Sequence, residues 1–139
     1  MTRAEKNDRL SSHHSHSYLF GGLTLWTMPG IVFLSTQRLG EIVEFYTSRL
    51  GMKVWLEQDD CTILQYDDLT IGFCQRDHAD TGGTITLWYD SREEVDAMYA
   101  RLRDIAESGP RENPKYGIYH FFFRDPEGRT LEVQKFLDL

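Results

Sequence analysis

Residues 119–136, YHFFFRDPEGRTLEVQKF, set a histidine and a glutamate inside two apolar runs that flank Asp125-Pro126-Glu127-Gly128. A carboxylate beside an imidazole orients the ring and raises its affinity for a proton, the arrangement of a general acid or base. Asp-Pro-Glu-Gly suits a type I turn closed by a left-handed glycine, which pairs Asp125 with Arg129. Phe122 then lies opposite Glu132 and His120 opposite Gln134, so that His120 and Glu132 are diagonal neighbours within hydrogen-bond reach. One strand face carries His120, Phe122, Arg124, Thr130, Glu132 and Gln134. The other carries Phe121, Phe123, Leu131 and Val133, the set that should cover helices. His120 and Glu132 are either catalytic acid–base partners or a pair that satisfies the polar wall of a pocket. As metal ligands they are one short of the three protein ligands that catalytic zinc usually takes.

Other residues offer chemistry of their own. A two-residue turn at Asp67-Asp68 sets Cys61 opposite Cys74, a separation that a disulfide can span. They are expected to be two small buried hydrophobes, with a redox pair or soft-metal ligands as the alternative. Trp55, Trp88 and Phe122 could wall a flat or apolar ligand, and core packing competes equally for Trp55. Arg124, turned inward, could hold a carboxylate or phosphate through a forked contact, although an arginine at a strand end more often lies in solvent. His13, His14 and His16 lie close together in a polar tail without fixed geometry, a poor basis for a metal site.

These residues need elements to hold them. Leu39, Ile42, Val43, Tyr46 and Leu50 recur at helical spacing before Gly51, and three strand-like runs follow, MKVWLE, CTILQY and LTIGFCQ. TITLWY is a further strand. Ser91 and Glu94 form a capping box for a helix whose face carries Val95, Met98, Leu102, Ile105 and Ala106. After Gly109-Pro110 and a loop through Pro114 come the two strands around the Asp-Pro-Glu-Gly turn. Glu41, Val43, Arg49 and Leu50 recur as Glu93, Val95, Arg101 and Leu102 at one constant offset. Together with the shared order of elements, this points to a duplicated β-α-β-β-β plan. In the first copy Leu64, Tyr66, Leu69, Ile71 and Phe73 share the helix side, while Cys61, Ile63, Gln65, Thr70, Gly72 and Cys74 share the other. A face bearing Ile63, Trp88 and Phe122 beside polar groups fits the concave wall of a pocket better than a flat wet surface.

A chain of 139 residues is the size of one domain. Residues 1–29 differ in character and are expected to form a flexible arm, part of which, around Leu23 to Trp26, could dock on the fold. Residues 30–139 should form the domain, with modules at about 30–76 and 83–137. The net charge of −7 and the lack of a Lys/Arg stripe argue against a nucleic-acid partner. No run approaches the roughly 20 apolar residues of a membrane span, and the short apolar stretch near the start lacks a signal cleavage pattern. Two cysteines make no disulfide framework, so a cytoplasmic location is expected.

The paired modules, the FYTSRLGM helix end and FFFRDPEGRTLEVQ resemble the vicinal oxygen chelate superfamily, which contains glyoxalases, bleomycin-resistance proteins, extradiol dioxygenases and fosfomycin-resistance enzymes. The resemblance covers about residues 31–137 and implies an α+β fold of two curved mixed sheets around a pocket. It also implies a homodimer and, in metal-dependent members, four ligands on the first and last strands of the modules. Carried over by position, the last ligand matches Glu132, but the others fall on Ile31, Gly72 and Thr84 or Gly83, none of which can replace a histidine or carboxylate. The expected function is therefore the binding of a small molecule without a cofactor, in a pocket of Ile63, Gln65, Trp88, Phe122, Arg124, Thr130 and Gln134. The alternative is a lyase, isomerase or dioxygenase that uses His120 and Glu132 with a divalent metal (Zn, Ni, Mn or Fe). A third is a pocket filled by side chains in an assembly subunit.

Overall fold

The computed structural model describes residues 29–139, together with the strand backbones of 17–20 and 23–26. The latter, β1 (Ser17–Phe20) and β2 (Leu23–Trp26), pair antiparallel as a hairpin within the expected arm. The rest of the arm, including His13, His14 and His16, lies outside the described residues.

The first module comprises β3 (Val32–Thr36), α1 (Leu39–Ser48), β4 (Lys53–Glu57), β5 (Cys61–Tyr66) and β6 (Leu69–Gln75). The second comprises β7 (Thr84–Trp88), α2 (Arg92–Leu102), β8 (Arg111–Asn113), β9 (Ile118–Arg124) and β10 (Thr130–Phe136). Their sheets run β3-β6-β5-β4 and β7-β10-β9-β8, so the duplicated plan is exact in topology: the first strand lies parallel to the last, with the middle strands antiparallel beyond. Leu64, Ile71 and Phe73 of one sheet and Phe121, Phe123, Leu131 and Val133 of the other meet Ile42, Tyr46, Val95, Met98 and Leu102 of the helices in one core. Burying these side chains is the main source of stability. No helix among the described residues is long and apolar enough to cross a membrane.

Local chemistry ends the helices. Ser91 caps α2, accepting the Glu94 N–H and donating its hydroxyl to the Glu94 carboxylate. Ile105 and Ala106, expected on the helix face, lie beyond its end: both N–H groups bond to Leu102 O, and Ala106 bridges Phe123. The loop expected through Pro114 holds β8, a three-residue polar strand recruited by pairing with β9.

The Asp-Pro-Glu-Gly turn forms as expected, with Gly128 at φ +86° and bonds from Asp125 N to Arg129 O and from Gly128 N to Asp125 O. It also joins the modules. Arg129 is 2% exposed, and its guanidinium donates to Asp125 and Glu127 at 3.0 Å and to Ser35 O at 2.7 Å, while lying 5.2 Å over the Phe73 ring. Glu127 accepts from the Thr36 hydroxyl and Gln37 N–H, and Asp125 accepts from the Tyr46 hydroxyl at 2.8 Å. Burial, followed by the charge and hydrogen bond of Asp125, pushes the Tyr46 phenol far above its ordinary pKa.

The cysteines are corrected here. Cys61 and Cys74 face each other in the expected register, but they are joined as a disulfide rather than packed as free thiols. The bond replaces the free-thiol premise on which a reducing compartment was expected.

Candidate functional site

The turn fixes the register of β9 and β10, and with it the site. Phe122 faces Glu132 and His120 faces Gln134. His120 Nδ1 lies 2.6 Å from Glu132 Oε2, and both residues are 8% exposed. Glu132 Oε1 accepts from the Thr86 hydroxyl at 2.9 Å across the parallel β7–β10 pairing. With its amide nitrogen turned to the carboxylate, Gln134 donates to both oxygens at 3.0 and 3.2 Å. Three side chains thus hold one buried carboxylate, as a charge removed from water requires. The Phe122 ring meets the His120 imidazole edge to face at 5.0 Å. Nδ1 is committed to Glu132, and no described residue bonds to the ring's other nitrogen, Nε2.

His120, Phe122, Glu132 and Gln134 form the floor of a cavity of about 370 Å³. Ile118 and Phe136 continue the floor, and Asn113 and Tyr116 close the side next to β8. Ile118 and Phe136 follow from strand alternation, two residues from His120 and Gln134. Asn113 and Tyr116 carried no sequence signal, because β8 had none.

The remaining expected site residues are dispersed. Arg124 turns away, bonding Glu107 at 3.2 Å and Gly128 O at 2.9 Å. Trp88 lies opposite Gln134, with its ring 6.3 Å from that of Phe136, but it is 62% exposed and lines a second concavity with Tyr66 and Tyr89. Thr130 pairs with Arg124 and Thr84, beyond the cavity. Ile63 and Gln65 belong to the other sheet, where Gln65 bonds Thr70.

The carried-over ligand positions also shift. The strand partners of Gly72 and Glu132 are Phe33 and Thr86, whereas the resemblance points to Ile31 and to Thr84 or Gly83. A Cβ placed on Gly72 would lie 2.4 Å from the Phe33 ring, so an aromatic side chain fills the space where a carboxylate would stand. Phe33, Gly72 and Thr86 supply no ligand of the histidine or carboxylate kind, and both oxygens of Glu132 are engaged. Among the described residues no group of three or more His, Cys, Asp or Glu is placed to hold a metal ion. The donor set of the described residues at these positions does not fit a divalent metal site.

Comparison with known proteins gives a consistent result. The sequence pattern of the Glyoxalase/Bleomycin resistance protein/Dioxygenase superfamily matches residues 29–133. A lactoylglutathione lyase from Agrobacterium tumefaciens is similar in structure, with a TM-score of 0.65 at 20% identity over 78% of this chain and 93% of that one. A glyoxalase/bleomycin resistance protein/dioxygenase from Nocardioides gives 0.67 at 20% identity, over 96% and 93%. One from Alicyclobacillus acidocaldarius gives 0.67 at 18%, over 81% and 93%. No curated protein matches the chain.

Proposed function

The chain belongs to the glyoxalase/bleomycin resistance protein/dioxygenase superfamily, and from that premise we propose that it binds a small molecule without a metal, in the cavity above His120 and Glu132. The carrying observation is the combination of an apolar-walled cavity with a buried, fully bonded carboxylate at its floor. Such a floor fixes ligand orientation through His120 Nε2 while Ile118, Phe122 and Phe136 supply contact area. Lyase, isomerase or dioxygenase chemistry through the family metal finds no support in this donor set.

The test combines metal analysis with a fragment screen. After incubation with Zn, Ni, Mn and Fe(II) and dialysis, the purified chain lacking the His-bearing tail should retain well under one equivalent of metal. Ligand-observed NMR should find binders that are lost in His120→Ala. One equivalent of metal, removed by Glu132→Ala, would overturn the metal-free reading, and an empty screen would overturn the binding one.

The reading includes a homodimer. Val32 and Phe33 on β3 and Trp88 on β7 are 62%, 51% and 62% exposed, on the outer strands of the two sheets. Open edges that bear large apolar side chains gain from a second copy. Light scattering should give twice the chain mass, and Phe33→Asp should shift it toward the monomer. A wild-type monomer at micromolar concentration would refute the dimer. A cytoplasmic setting also remains part of this reading, and there the thiol pool acts on the Cys61–Cys74 bond.

A further inference from the structure

We infer that the cavity selects an uncharged, flat molecule with a donor–acceptor edge, such as a carboxamide or lactam, and rejects carboxylates of the same shape. This inference rests on the binding reading above and specifies its ligand class.

Charge comes first. While the imidazole is neutral, with its Nδ1–H donated to Glu132, the pair carries a net charge of −1. No lysine or arginine lines the cavity. Arg124 is held by Glu107, and Lys135 Nζ donates to Phe136 O. Arg111 stands opposite His120 on β8, and Lys115 lies 5.2 Å over the Tyr116 ring, but both are exposed and solvent-screened. A ligand carboxylate placed on His120 would thus meet a buried like charge without a buried counter-charge, which is unfavourable.

The polar groups then define the edge. Imidazole Nε2, unprotonated while Nδ1–H serves Glu132, accepts a hydrogen bond. Asn113 Oδ1 already accepts the Lys115 N–H at 3.1 Å, so the Asn113 amide is left to donate its NH2. An amide edge offers the complement, N–H to Nε2 and C=O to Asn113, with its flat body between Phe122 and Phe136. A ligand without the N–H leaves Nε2 desolvated and unpaired, which specificity arguments of this kind count as a loss.

Benzamide, benzoate and methyl benzoate separate the terms, because they share one ring and differ in charge and donor. Titrated into the full chain and followed by the His120 imidazole resonances, identified by their loss in His120→Gln, benzamide should bind about tenfold more tightly than benzoate. It should also bind more tightly than methyl benzoate. In Glu132→Gln the margin over benzoate should shrink severalfold; if that variant does not fold, the wild-type order decides alone. Benzoate binding as tightly as benzamide would overturn the inference and leave small-molecule binding intact. No response to any of the three would also overturn it, and the broader fragment screen then judges the binding reading separately.

Discussion

Arg129→Met should lower the free energy of unfolding by about 3–5 kcal/mol, because it strands two buried carboxylates rather than merely deleting a pair. Asp125 and Arg129 side chains are 0% and 3% exposed, and Glu127 is 4%. Without the guanidinium, Asp125 keeps its bonds from Tyr46 and two backbone N–H groups, and Glu127 keeps Thr36 and Gln37, yet neither retains a counter-charge. The Ser35 carbonyl loses the guanidinium as well and keeps the Asp80 N–H. Urea unfolding would show the loss as a lower midpoint with an unchanged slope. Neutralising the carboxylates together with the arginine, in Asp125→Asn/Glu127→Gln/Arg129→Met, should recover part of it. A single Arg129→Met variant within about 1 kcal/mol of wild type would show that the modules do not depend on this cluster.

The same cluster has an acid limb. Burial works to raise the Glu127 pKa, but the bonds from Thr36, Gln37 N–H and Arg129, together with the Arg129 charge, outweigh it and leave the carboxyl below its ordinary value. A group depressed in the folded state contributes stability above its unfolded pKa, and that contribution disappears as pH falls through the folded one. Stability should therefore decline as pH drops below the usual glutamate range, and Glu127→Gln should decline less steeply there.

Cys61→Ala/Cys74→Ala should cost about 3 kcal/mol under non-reducing conditions, the entropy expected for a cross-link that closes a loop of this size. The sequence separation is 13 residues. The bond joins β5 to β6, whose Leu64, Ile71 and Phe73 form the helix-facing side of the first sheet. The loss should appear as opening of that hairpin, read by amide hydrogen exchange in β5 and β6 ahead of β9 and β10. Dithiothreitol should reproduce most of it on the wild-type chain. Two titratable thiols in freshly purified protein, with stability unaffected by dithiothreitol, would show that the bond is not part of the native state.

The sequence by itself determined what short-range chemistry can dictate. Helical spacing located α1 and α2, the Ser91 box set the start of α2, and Asp-Pro-Glu-Gly set the β9–β10 register. That turn, joined to the two-residue period of a strand, was enough to bring His120 onto Glu132 and to put Phe122 and Gln134 beside them. Likewise, Asp67-Asp68 was enough to align Cys61 with Cys74, though spacing is blind to whether two facing sulfurs bond.

Tertiary structure decided the rest, for identifiable reasons. No tight turn sets the register of parallel strands, which are joined through a whole helix and further strands. Phe33 and Thr86 therefore stand beside Gly72 and Glu132 where the resemblance points to Ile31 and to Thr84 or Gly83, and a slip of two residues, as from Ile31 to Phe33, keeps every side chain on its face and escapes any argument from alternation. β8 exists because β9 offers an edge to three polar residues that would not form a strand alone, and through it Asn113 and Tyr116 reach the cavity. Arg124 and Arg129 flank the same turn. Only the packing of one module on the other buries the second against Ser35 and Phe73 and leaves the first in solvent, since burial belongs to the assembled surfaces and not to the residue.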